Sequence, residues 1–336
     1  MGQRQIISSV ACGLGLAVLL LSTRHARGLD SSPHTVTFVA ADKDVSLEVL
    51  DWGGPPGARA LVFLSGLGDT AHVFDKFAPR LSDSYHVLGI TRRGFGKSIA
   101  PAVVGPVAYS ADRLGDDVIA VIDHLRLQRP ILVGHSIAGE ELSSIGSRHP
   151  EKIAGLVYLD AGYGYAFYDA SRRDLYLDLF ETRRKLESMQ PGKGPNDTRP
   201  VIRDLLETTL PKLEKDLKAE DMFLGSLPAK MLSGSSTRMP AVSQAVVAGE
   251  QKFTGIRSPA LAIFAIPHDM GFGRDSAAQA RFDKEDEASS GPQAKAFASG
   301  VPQAKVVLLP HANHYVFRSN EADVLREIRA FVKSLS

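Results

Sequence analysis

Cysteine is all but missing from this sequence: Cys12 is the only one among 336 residues. A lone thiol excludes an internal disulfide framework and any site built from several thiolates. An excess of one charge sign is missing too. Lys and Arg number 39 against 38 Asp and Glu, a formal net charge of +1, which leaves no broad basic face for nucleic acid or another polyanion. There is no internal repeat and no long low-complexity tract. The histidines are scattered, and His311 with His314 alone make no metal site. What remains is ordinary for a globular chain, 44% hydrophobic and 23% charged, and long enough for one large domain or two smaller ones.

The first 28 residues, "MGQRQIISSVACGLGLAVLLLSTRHARG", differ from the rest. Arg4 precedes an apolar stretch from about Ile6 to Leu21, and Ala26 and Gly28 occupy −3 and −1 of a cut after Gly28. That is the order of a secretory signal, and the apolar part is short of the roughly 20 residues that span a bilayer comfortably. The expectation is export, periplasmic or secreted, with residues 1–28 removed. The alternative is a retained N-terminal anchor, flanked by Arg24 and Arg27, which would be the chain's one link to a membrane. Cleavage removes three arginines and no acid, so the formal charge becomes −2, and it removes Cys12.

From His34 onward strand-like and helix-like segments alternate. "TVTFVA" and "VSLEVLDW" read as antiparallel strands joined by "AADKD". "ALVFLSG", "YHVLGIT", "PILVGHS", "IAGLVYLD", "PALAIFAI" and "AKVVLLP" are apolar at nearly every position, as strands buried on both faces are. Between them "AHVFDKFAPRL", "SADRLGDDVIAVIDHLRL" and "GEELSSIGSRHP" carry apolar residues at helical spacing. The last segment, "SNEADVLREIRAFVKSL", opens on Ser319 as N-cap with acids in its first turn. This alternation predicts an α/β fold with a mostly parallel sheet. Residues 162–257 break it: they hold no buried-strand run, only mixed charge, Gly and Pro, and predict a helical lid.

The stretch "ILVGHSIAGEELSSI" places Ser136 where a strand hands over to a helix, with Gly134 and Ala138 two residues to either side. A nucleophile on such a turn is strained and exposed at the strand's carboxyl end, and the helix N-terminus aims free N–H groups at an anion forming there. A serine hydroxyl needs a base, and a histidine held by a carboxylate arrives later in chain order. "PALAIFAIPHD" delivers Asp269 and "AKVVLLPHANH" delivers His314, each after its own strand. Asp160, at the end of "VYLDAG", is the alternative acid, and His311 the alternative base.

With these motifs, and with "LVFLSGLGDTAHVF" and "ITRRGFGKS", residues 34–336 resemble the α/β-hydrolase superfamily with an inserted helical cap. The resemblance implies a central, mostly parallel sheet flanked by helices, divided as 29–161, cap 162–257 and 258–336. It implies Ser136 as nucleophile, His314 as general base, Asp269 as the acid orienting it, and the N–H groups of Leu67 and Ile137 as the oxyanion hole. Three positions depart from the common pattern: Ser65 begins the oxyanion loop where His is usual, Ala138 stands for Gly, and Asn313 precedes the histidine. By analogy the reaction is hydrolysis of a carboxylic ester of a small to medium, partly apolar molecule, without cofactor or metal. A haloperoxidase-like or perhydrolase-like reaction, a carbon–carbon bond hydrolysis, or ligand binding without turnover would use the same framework.

Other residues have plainer readings. "TRRGFGKS" approaches a phosphate-binding loop, but its first glycine is replaced by Thr91 and the prolines that follow make a poor helix, so a nucleotide-binding reading is rejected. His135 packs or hydrogen-bonds beside the nucleophile, and His268 is a bystander. Glu140 and Glu141 favour the helix dipole, with either one a candidate to face the site. The aromatics of "GYGYAFYD" read equally as ordinary core of a small lid and as the wall of a substrate pocket.

Overall fold

The computed structural model describes residues 34–172, 174–226, 239–271 and 276–335, so the leader expected at 1–28 lies outside the described residues. Eight strands form one sheet: β1 (Thr35–Asp42), β2 (Val45–Gly53), β3 (Ala60–Leu64), β4 (His86–Ile90), β5 (Ile131–His135), β6 (Gly155–Leu159), β7 (Ala260–Phe264) and β8 (Ala304–Leu308). Their order is β1-β2-β4-β3-β5-β6-β7-β8. β1, β2 and β4 pair antiparallel, and β4, β3, β5, β6, β7 and β8 run parallel. The four central strands β3, β5, β6 and β7 are buried at every residue, which is why their sequences show no alternation. β1, at one edge, is exposed at most of its positions.

Among the described residues the sheet unit carries α1 (Ala111–His124) and α2 (Gly139–Arg148), and the unit of Ala170–Met239 carries α3 (Leu175–Ser188), α4 (Arg199–Asp204) and α5 (Leu210–Ser226). The sheet unit continues with α6 (Ala241–Ala248), α7 (Ser276–Gly300) and α8 (Glu321–Ser334). One face of the sheet, with Leu61, Phe63, Val133, Val157 and Ile263, shares a core with Phe74, Phe77 and the apolar stripe Val324, Ile328 and Phe331 of α8. That stripe recurs every three to four residues, the period that puts side chains on one helical face.

Local chemistry moves several boundaries. "AHVFDKFAPRL" forms two 3₁₀ segments, Ala71–Phe74 and Ala78–Arg80, rather than one α-helix; Pro79 lacks the N–H a continuous helix would use. Ser319 does not cap α8. It closes a separate turn, Val316–Ser319, and its hydroxyl accepts the Asn313 N–H at 3.0 Å, so Asn320 stands at the N-cap. The acids expected in the first turn, Glu321 and Asp323, are there.

The second compact unit comprises Ala170–Met239, whereas residues 162–169 and 240–257 group with the sheet. Within it, its helices are tied by charge of both signs: Lys185 lies 2.7 Å from Glu181 and 2.5 Å from Asp204, and Lys212 pairs with Asp178 and Asp216. No helix among the described residues is long and apolar enough to cross a membrane.

Candidate active site

β5 ends at His135, a 3₁₀ turn spans Ser136–Ala138, and α2 starts at Gly139. Ser136 sits at φ +55°, in the left-handed region that a side chain bearing a Cβ occupies at a cost of order 1–3 kcal/mol. Small neighbours make the turn sterically possible. A Cβ on Gly134 would stand 2.9 Å from Leu142 Cδ1, and one on Gly139 would overlap the carbonyl oxygen of Ala161. The strain is local, and the packing around it over-determines the turn.

The loop after β3 passes alongside. A Cβ on Gly66 would come within 3.2 Å of Ser136 Cβ and 2.9 Å of His135 Nδ1, so only glycine lets this loop approach, and Leu67 follows it. Arg92 holds the loop in place. Its guanidinium donates to the Ser65 carbonyl at 2.9 Å, the Gly66 carbonyl at 3.3 Å and Glu141 Oε1 at 2.5 Å, with both charges buried. The question of which α2 acid serves the site thus has a partial answer: Glu141 anchors the arginine that braces the expected oxyanion loop. Arg93 turns the other way, onto Asp117 with two bonds of 2.5 and 2.6 Å. Both arginines of "TRRGFGKS" face inward, and no helix begins there until α1, whereas the rejected phosphate-loop reading requires one directly after the loop.

The carboxylate that holds His314 is Asp160, which corrects the expectation of Asp269. His314 Nδ1 donates to Asp160 Oδ2 at 2.7 Å. Asp269 is exposed and its carboxylate accepts the Gly271 N–H at 2.8 Å. The reason is the two-residue period of extended chain. His268 bridges to Ala312 in continuation of the β7–β8 pairing, so its side chain turns inward and that of Asp269 turns out. His311 does not reach the site either; it is largely exposed and lies 3.9 Å from Asp283.

Asp160 follows β6 at φ +47° and is fully buried. Its Oδ1 accepts the Ala265 N–H at 2.9 Å and the Tyr163 hydroxyl at 2.6 Å; its Oδ2 accepts His314 and, at 2.8 Å, His268 Nε2. Burial alone would raise its pKa. The charge on His268 and the hydrogen bonds from His268 and His314 outweigh that and hold the carboxyl well below the ordinary range. His268 is therefore no bystander.

His135 is buried, with Nε2 3.1 Å from the His314 carbonyl and its ring 4.7 Å from those of His314 and Tyr315. Burial, reinforced by the neighbouring His314 imidazole, holds its pKa well below the ordinary imidazole value. A neutral ring with Nε2–H donating fits the carbonyl, and the contact ties the loop of His314 to the strand that leads into Ser136. The aromatics after β6 divide as follows. Tyr163 bonds Asp160 and packs edge-on to Phe264, and Phe167 packs against Phe297. Tyr165 lies beside Ser136 with no well-formed hydrogen bond of its own.

Among the described residues two groups offer three ligand atoms within 4.8 Å of one another: His34 with His72 and Asp75, and Asp160 with His268 and His314. In the second group both imidazoles already converge on one oxygen of Asp160. With Nδ1 of His314 committed there, Nε2 is the nitrogen left to exchange a proton with a serine. A strained serine, a carboxylate-bound imidazole and a glycine-lined loop beside them suit nucleophilic attack on a carbonyl.

The sequence model of the alpha/beta hydrolase family matches residues 61–327. A 2-(acetamidomethylene)succinate hydrolase from Mesorhizobium japonicum is 27% identical over 164 residues, which are 47% of this chain and 56% of that protein. The chain spans about half the length of the first curated relatives it matches. In structure it is similar to a hydrolase from Pseudomonas aeruginosa PA01, with a TM-score of 0.55, 20% identity, and coverage of 89% of this chain and 98% of the other. A carboxylesterase from Bacillus subtilis aligns with a TM-score of 0.52 at 14% identity, covering 89% and 91%. At such identities the structures speak for the fold alone.

Proposed function

Because the chain belongs to the alpha/beta hydrolase family, we propose that it is a serine hydrolase that cleaves a carboxylic ester of a small to medium, partly apolar molecule through an acyl-enzyme. The carrying observation is the coincidence of Ser136 at φ +55° on the strand-to-helix turn with His314 bound to Asp160 at 2.7 Å. Ser136 Oγ attacks the ester carbonyl while His314 Nε2 takes its proton. The oxyanion is held by the N–H groups of Ile137 and Leu67. His314 returns the proton to the leaving alcohol, and then draws one from the water that releases the acid. Asp160 fixes the tautomer that leaves Nε2 free. Export remains part of this reading on the strength of residues 1–28 alone.

The test is turnover of p-nitrophenyl esters of graded acyl length by the full chain and by Ser136→Ala. The expected outcome is loss of at least 10³-fold in kcat with the fold unchanged. Turnover that survives in the alanine variant, or a folded native protein inert on every ester, overturns the esterase reading. The second result directs attention to another acyl or carbon–carbon bond, to a perhydrolase-like reaction, or to binding without turnover.

A further inference from the structure

His268 stands between two carboxylates. Its Nε2 is 2.8 Å from Asp160 Oδ2 and its Nδ1 is 2.7 Å from Asp286 Oδ2. Ionised carboxylates only accept hydrogen bonds, so both ring nitrogens carry a proton and the ring is an imidazolium. Asp286 is built to keep it so. It projects from α7, also accepts the His268 backbone N–H at 2.8 Å, and has its other oxygen bonded by Ser290 at 2.7 Å. The His268 ring is only partly exposed, with its pKa raised to about 10: burial works against this, and the two carboxylates outweigh it. The hydrogen-bonded chain thus runs past the triad as His314–Asp160–His268–Asp286.

We propose that His268 is a positioning residue that both fixes the Asp160 carboxylate and balances its charge, so that catalysis extends to lower pH than a simple His–Asp pair would allow. This rests on the serine-hydrolase reading and deepens it. An uncompensated, buried Asp160 beside His314 would favour the imidazolium and raise the pH needed for catalysis. The His268 ring centre is 6.4 Å from that of His314, close enough for a full charge to move a titration by about one pH unit at an intermediate effective dielectric. The other groups facing His314 stay in place throughout: neutral His135 at the end of β5, Asp69 in the loop after β3, and Tyr315 next in sequence. Around His268 they are Asp160, Asp286 and the Tyr163 hydroxyl at 3.4 Å.

The experiment is the pH profile of kcat/KM for ester hydrolysis by the native chain, His268→Gln and His268→Lys. The expected result is an acidic limb displaced upward by about one pH unit in H268Q and restored in H268K, which returns the charge. Equal losses in both variants with an unmoved limb would mean that His268 only holds structure, and would overturn the proposal. Imidazole ¹⁵N spectra of the native protein give a readout that needs neither substrate nor a variant that folds. His268 should remain doubly protonated at pH 8, and a neutral ring overturns the proposal. If Ser136→Ala stays active, the hydrolase reading fails instead, and the spectra still decide the state of His268.

Discussion

The turn after β5 and the loops after β6 and β7 build the two halves of the site by opposite means. On the nucleophile side the work is done by what is missing from side chains. Gly134, Gly139 and Gly66 give the backbone room, and the adjacent Ala138 is small, so the strained geometry of Ser136 is held by packing. On the acid side the work is done by side chains themselves, with four hydrogen bonds converging on one buried carboxylate and a second carboxylate behind His268. A steric device tolerates almost no added atom but is indifferent to pH. A polar network tolerates similar shapes but fails when a proton or a charge is misplaced.

The sharpest way to break this comparison is to change the acid side without changing its shape. Asp160→Asn keeps the volume but offers an amide where two N–H donors point, so His314 takes the wrong tautomer. We expect a fall of 10³- to 10⁴-fold in kcat/KM, against less than twofold for the exposed Asp269→Asn, both read on the same ester. A larger effect from Asp269→Asn would return the triad acid to β7.

Next is the steric side. Gly139→Ala adds one methyl against the Ala161 carbonyl, which belongs to backbone and has little freedom to move. A loss of about 2–4 kcal/mol is expected in denaturant unfolding, whereas Gly57→Ser, whose Cβ would meet nothing within 4 Å, should cost much less despite its positive φ. Equal losses at the two positions would show that the Ala161 carbonyl yields to the added methyl, and that space does not make the turn demand glycine.

The smallest effect concerns Glu140, next to Glu141 on α2 and fully buried with neither carboxylate oxygen hydrogen-bonded. Burial first, then charge on Glu250 and Glu141, holds its pKa well above the ordinary carboxyl range. The folded state therefore binds a proton that the unfolded chain releases above about pH 4.5, and stability falls as pH rises between those two pKa values. Glu140→Gln removes that dependence. It should stabilise the protein at pH 8, where folding must return a proton that the unfolded chain has released, and only slightly near pH 4. A stability gain equal at both pH values would mean that Glu140 is not protonated by the fold.

Much of the turn that carries Ser136 was legible in the sequence because its determinants are local. An apolar run, Gly-x-Ser-x-Ala and a helical pattern occupy fifteen consecutive residues, and steric rules act over that range. His314 was legible for a similar reason, as a histidine soon after a strand. The acid was not. Asp160 and Asp269 both end buried strands, and the choice depends on which side of the chain each residue presents after its strand closes. His268 and Asp286 were harder still: they lie 18 residues apart in a loop and a helix, with no motif to connect them. Arg92 is a comparable case, since nothing in "ITRRGFGKS" says that one arginine braces the loop after β3 and its neighbour pairs with α1.

By itself, then, the sequence determined the layered α/β plan, the succession of buried strands along the chain and the strand-to-helix turn that carries the serine. These follow from periodicity and from glycine at contacts between near neighbours. Tertiary structure decided which carboxylate meets His314, which histidine stands between two carboxylates and which acid of α2 anchors an arginine. Those outcomes depend on register across β5 to β8 and on burial, where moving a side chain from one face to the other exchanges a buried, charge-balanced group for a solvated one.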